Sequence, residues 1–196
     1  QTATNRIPFL APTNYNVAEY ELLARYIQAL TGRGVYPSFW SFMIISTMPG
    51  GKTDINNYGP VSTDFIGQNS DYIDADYEER QAIWQRHKNY LQGLFYFLST
   101  YPRVPSNVRS QAQGYGLCKD EFMDNNGWPY ELYVREARRM ISDYVMTQSN
   151  CLGQVGANDS IALGSYSMDS HNCNRVVVNN STQMEGDCKL GIPSPY

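Results

Sequence analysis

The chain has 196 residues and a formal net charge of −4, with 15 Lys and Arg against 19 Asp and Glu. It contains no basic run interleaved with aromatics, which sets nucleic-acid binding aside, and no apolar stretch near the roughly 20 residues of a membrane-spanning helix. Tyrosine is abundant, 16 against 7 Phe and 3 Trp, and its apolar ring with a polar tip suits both a half-buried core and a pocket for a polar ligand such as a sugar.

Residues 1–15 are irregular and proline-rich. Asn16 then stands as an N-cap, with Glu19 three residues on in capping-box spacing. Tyr20, Leu23, Ala24, Ile27 and Leu30 give the following helix one apolar face, which Gly32 and Gly34 end. Residues 37–47, aromatic and β-branched, predict a buried strand. Residues 48–60 (MPGGKTDINNYGP) read as a polar loop after it. Its Gly50-Gly51-Lys52-Thr53 lacks the full spacing of a phosphate loop and no helix-forming run follows. Lys52, Asp54, Asn56 and Asn57 make this loop dense in donors and acceptors. The same Asn, Asp and Gly residues are also what a turn requires, so both readings stand.

Asp74 or Asp76 opens the longest helix, residues 77–99, with Trp84, Lys88, Leu91, Leu94, Phe95 and Leu98 at helical spacing. The Lys88 stem can lie along that apolar face, and His87, one turn after Trp84, reads as structural. Pro102 and Pro105 end the helix, and Ser106 caps a short one to Gln113. Pro129 suits the first turn of a last long helix, residues 130–146, with Val134, Ala137, Ile141 and Val145 along one side. Arg135, Arg138 and Arg139 share a face of that helix, near Glu131 and Glu136. Such a face clamps an anion or stands ion-paired in solvent.

Residues 159–172 (DSIALGSYSMDSHN) begin as a strand, with Ile161, Leu163 and Tyr166 among small residues and Gly164 permitting close approach. Their second half is turn-prone, which places Asp169 and His171 where the strand gives out into a loop, a common mount for functional groups. A hydrogen-bonded structural His–Asp pair is the competing reading. Val176, Val177 and Val178 form a further strand. The expected fold is therefore α+β, one segment over 1–196, with three or four helices packed on a small, mainly antiparallel sheet built from the Phe39, Ile161 and Val176 segments.

Four cysteines, at 118, 151, 173 and 188, lack C-x-x-C pairing, and no metal centre is expected. They are compatible with two disulfides, of which Cys173–Cys188 would close a turn-rich loop, or with four buried thiols. Three N-glycosylation sequons, at Asn158, Asn179 and Asn180, favour a secreted or lumenal protein. Gln1 followed by polar residues shows no signal peptide and reads as a processed or excerpted start.

Five stretches, in order, carry a family resemblance: PGGKTDINNYGPVSTDFIG, DYEERQAIWQRHKNYLQGLFYFLSTYPRVP, GLCKDEF, WPYELYVREARRMISDYVMTQ and DSIALGSYSMDSHNCNRVV. From residue 7 to residue 196 the chain resembles FAD-dependent oxidoreductases, glutathione-reductase-type flavoproteins that are often secreted and sometimes labelled xanthan lyase-like. The resemblance implies FAD as cofactor and hydride transfer to flavin from a small polar, polyol or sugar-like substrate. It places His171 as general base, Asp169 as its orienting partner and Tyr166 beside them. Lys52, Asp54, Asn56, Asn57, Arg135 and Arg138 would fix the substrate or the flavin's polar edge. The family's glycine fingerprint for the pyrophosphate does not occur in these residues, and neither does its C-terminal FAD-contacting segment. The chain therefore resembles the middle, substrate-side part, with FAD held mainly by flanking polypeptide. The alternative is a non-catalytic secreted glycoprotein with a structural or glycan-binding role on the same fold. A hydrolase has no convincingly placed pair of acids.

Overall fold

A 24-residue helix, α2 (Tyr77–Thr100), anchors the first of two compact units, which cover residues 1–134 and 135–196. The computed structural model describes residues 5–59, 61–134, 138–186 and 191. Asp76 starts α2 by accepting the Glu79 N–H at 2.9 Å while the Glu79 carboxylate accepts the Asp76 N–H at 3.0 Å. This capping box satisfies two N–H groups that the helix start would otherwise leave orphaned. The buried residues Ile83, His87, Tyr90, Leu94, Phe97 and Leu98 recur at intervals of three and four, the face that α2 turns inward.

Two helices complete the core. Helix α1 (Glu21–Gly32) inserts Leu23, Ala24 and Ile27. Asn16 caps the 3-10 turn that precedes it, accepting from Ala18 N at 3.1 Å, and the Glu19 side chain is not part of a box there. Helix α3 (Ser106–Ala112) adds Val108 and Ala112, with Pro105 rather than Ser106 at the cap. Phe39, Phe42, Met43 and Val104 fill the space between the helices.

The strands form three separate two-stranded antiparallel sheets. β1 (Arg6–Ile7) pairs with β4 (Leu117–Cys118), and β2 (Met43–Met48) pairs with β3 (Lys52–Asn57). β5 (Asn172–Val178) pairs with β6 (Ser181–Gly186) in the second unit. Residues 37–47 are thus only partly the buried strand expected: Phe39–Ser41 is a 3-10 turn, and Met43 is the one buried residue of β2. Residues 52–57 are strand, not loop. Gly50 (φ 75) and Gly51 (φ 71) turn the chain tightly enough for Ile45 to face Ile55, and both rest against the core.

Two expected elements do not form. Described residues 130–134 and 138–146 are not helical, and residues 159–166 are in no ladder. Ile141 is 99% and Ile161 100% exposed, so the apolar patterning that predicted both elements buries nothing there. Without packing, a helix of this length is marginal in water, and a Gly- and Ser-rich strand gains too little from its side chains. The single sheet expected from the Phe39, Ile161 and Val176 segments is replaced by the hairpins, of which Val176 supplies β5. The short helix α4 (Gln148–Cys151) is organised by buried Asn150. Its Oδ1 accepts from Thr147 N at 2.8 Å, and its Nδ2 donates to the Val155 carbonyl at 3.0 Å and to the Tyr144 hydroxyl. None of the described cysteines, Cys118, Cys151 and Cys173, is in a disulfide. The Cys173 thiol faces the Glu185 carbonyl at 3.5 Å, and Cys188 lies outside the described residues.

Candidate functional site

Strand alternation sorts the polar residues of β3. Lys52, Asp54 and Asn56 lie on one face, turned away from the core, while Asn57 shares the opposite face with Thr53 and core-packed Ile55. Lys52 Nζ pairs with Asp120 at 3.2 Å and also with Glu121, both just beyond β4. Asn5 donates to the other Asp120 oxygen at 2.9 Å. The Asn5 bond and then Lys52 hold the Asp120 carboxyl below its usual range. Glu121 and then Asp120 outweigh desolvation to raise the Lys52 ammonium above its ordinary value. This cluster ties the β2–β3 hairpin to the segment after β4 through charge-assisted bonds. Burial, followed by the charge of Glu121, pushes the nearby Cys118 thiol up, away from nucleophile chemistry.

Tyr166, Asp169 and His171 lie on the connection between α4 and β5. Tyr166 and Asp169 are exposed, and His171 is half-buried immediately before β5 begins. The structure keeps these three within six residues of chain, in the second unit, whereas Lys52, Asp54, Asn56 and Asn57 belong to the first. Arg138 is exposed in non-helical chain, so the common helix face expected for Arg135, Arg138 and Arg139 does not form there. Arg135 lies outside the described residues.

Sequence reasoning missed the partners of Lys52. Asp120 and Glu121 are 68 and 69 residues away. Their one local signal is the adjacent acid pair in GLCKDEF. It also missed that Lys88 stands over two indoles, 5.2 Å from the Trp84 ring and 5.6 Å from Trp128. The Trp84 indole N–H donates to the Pro129 carbonyl at 3.2 Å, fastening residues 128–129 to α2.

Helices and antiparallel hairpins, with polar groups mounted on a strand face and on a loop, make this an α+β protein. The chain belongs to the FAD-dependent oxidoreductase family: the family model described as FAD dependent oxidoreductase matches residues 1–196. No curated protein and no solved structure gives a significant match. The family's cofactor is FAD and its chemistry is redox.

The described residues do not fit the pyrophosphate of that cofactor. A dinucleotide needs exposed amides at a helix N-terminus entered through a glycine-rich turn from a parallel strand. Here every described sheet is antiparallel. The start of α2 is closed by Asp76 and flanked by Glu78 and Glu79, and α1 begins with Glu21. These carboxylates occupy or repel the positions that a phosphate would take.

Proposed function

We propose that this chain supplies the substrate side of a secreted FAD-dependent oxidoreductase acting on a small polar, polyol or sugar-like substrate. The family match over the whole chain carries the reaction class. The choice of catalytic groups is supported by Tyr166, Asp169 and His171 standing within six residues of one another ahead of β5. FAD, when bound, supplies the redox chemistry. In this reading flanking polypeptide holds the pyrophosphate, and the chain's own residues bind substrate and move its proton.

His171 is the proposed base that accepts the substrate proton, since imidazole takes and returns protons at neutral pH. Asp169, two residues earlier, orients the ring, and Tyr166 offers a hydroxyl beside them. Lys52, Asp54 and Asn56, one polar face of β3, are proposed to contact substrate or the flavin's polar edge. Asn57, Arg135 and Arg138 are proposed for the same binding role. The abundance of tyrosine supports a hydroxyl-rich substrate.

The test uses full-length protein. Native material should show flavin absorption, and His171→Gln should keep that absorption while slowing flavin reduction by substrate by about 100-fold or more, the usual weight of a general base. Unchanged reduction in the variant removes His171 from the mechanism. One observation favours a second reading, a secreted glycoprotein with a structural or glycan-binding role: the described residues build no pyrophosphate cradle. A colourless full-length protein that stays colourless when FAD is added selects that reading.

A further inference from the structure

The turn joining β5 to β6 is Asn179-Asn180, both in the left-handed region at φ 50 and φ 60, and residues 179–182 are all exposed. Such a turn matches the twist of a two-stranded hairpin, and Asn adopts it at lower cost than most residues. Asn180-Ser181-Thr182 is at the same time an N-glycosylation sequon. Thr182 stands directly opposite Val177, and Ser181 opposite Val178. Those valines are 74% and 41% exposed on a hairpin that no third strand joins among the described residues. Exposed valines on a two-stranded ribbon with open edges invite pairing with another chain.

We propose that Asn180 is an N-glycan acceptor and that its glycan covers Val177, the more exposed valine of this hairpin. The inference rests on the secreted reading given above. The donor class is a lipid-pyrophosphate-linked oligosaccharide. Asn180 Nδ2 forms a bond to the anomeric carbon, the bond from that carbon to the phosphate oxygen breaks, the lipid pyrophosphate leaves, and one amide proton goes to a base of the transferase. No oxidation or reduction occurs.

The other sequons are less well disposed. In Asn158-Asp159-Ser160 the Ser160 hydroxyl already donates to the Ala157 carbonyl at 3.0 Å. Asn179 abuts Asn180, so a glycan on one crowds the other, and its sequon ends in Ser181 on the opposite strand face from Thr182. Asn180 is the last turn residue before β6, and its sequon ends in Thr182, which stands opposite exposed Val177.

The experiment is peptide mass mapping of the full-length protein secreted from a eukaryotic host. The tryptic peptide that begins at Val176 should carry a glycan, and enzymatic release with an N-glycosidase should leave Asp at position 180. Asn180→Gln and Thr182→Ala should each lose the glycan, and Asn158→Gln should retain it. A secreted protein whose peptide is unmodified, or is modified only at Asn158 or Asn179, overturns the site. A chain that never enters the secretory pathway overturns the secreted reading instead, and flavin absorption reports on the oxidoreductase reading independently of both. Thr182→Ala leaves the turn residues intact and should shift the protein toward larger species on size exclusion, as should enzymatic release of the glycan from the wild type. An unchanged elution volume in both overturns the covering role.

Discussion

His87 sits in the helical core with Nδ1 2.9 Å from the Ile83 carbonyl and its ring edge-on to Phe65 at 5.2 Å. Burial holds its pKa below the ordinary histidine value, and the charge of Arg86 adds to that against the opposing pull of the Ile83 carbonyl. An unfolded chain binds a proton at His87 near the ordinary value of about 6.5, whereas the folded chain refuses it there. Stability therefore falls as pH drops below about 6.5 and levels off only once pH passes the lower, folded value. The urea midpoint should be lower at pH about 5.5 than at pH about 7.5, and His87→Gln should shrink that difference. An equal difference in the variant assigns the pH dependence to other groups. The structural role of this histidine was legible in its position one turn after Trp84. The other histidine was legible only as a candidate, since neither spacing nor composition separates a base from a hydrogen-bonded partner.

Helix α2 shows why some elements follow from local sequence and others do not. Its start was legible to within two residues, as Asp74 or Asp76, and the box that Asp76 forms with Glu79 decides for Asp76. Its fit to the segment before α1 was not. Gly93 lets the Tyr20 ring approach so closely that a Cβ at position 93 would lie 2.2 Å from the Tyr20 hydroxyl oxygen. That approach lets the hydroxyl donate to the Tyr90 carbonyl at 2.9 Å, inside the core. Gly93→Ala should lower stability by about 1–3 kcal/mol despite alanine's better helix propensity, because the buried, hydrogen-bonded Tyr20 ring must move. Tyr20→Phe should cost about 1 kcal/mol, the lost bond alone. A Gly93→Ala protein with an unchanged or higher urea midpoint would contradict this packing.

At the scale of the whole molecule, every described buried apolar side chain lies between Pro12 and Trp128, within the first unit. The described residues of the second unit are held by Asn150 and by one hairpin. Opening free energy tracks buried apolar contact, so the second unit should open first. Arg138 and Arg139 are exposed in non-helical chain. Limited trypsin digestion should therefore cut there first and leave a resistant fragment ending at about residue 138. First cuts within α2, after Arg80 or Arg86, would refute this order.

Sequence alone determined the elements whose stabilisation is local or repeats along one face. These are the Asn16 cap, α1 with its stop at Gly32, α2 with its apolar stripe, and the valine strand that became β5. It also carried the family, because long motifs survive without any knowledge of their packing. Tertiary structure decided everything that depended on a partner far along the chain. Residues 130–146 carry a sound helical stripe and residues 159–166 a plausible strand, yet their described parts bury no apolar side chain and form neither element. Residues 52–57 look like a polar loop, yet Ile55 has Ile45 to face and the core to rest on, so they pair as β3. Lys52 finds its carboxylates 68 and 69 residues away. Patterning states which face an element could bury, and only the presence of a surface to bury it against makes the element form.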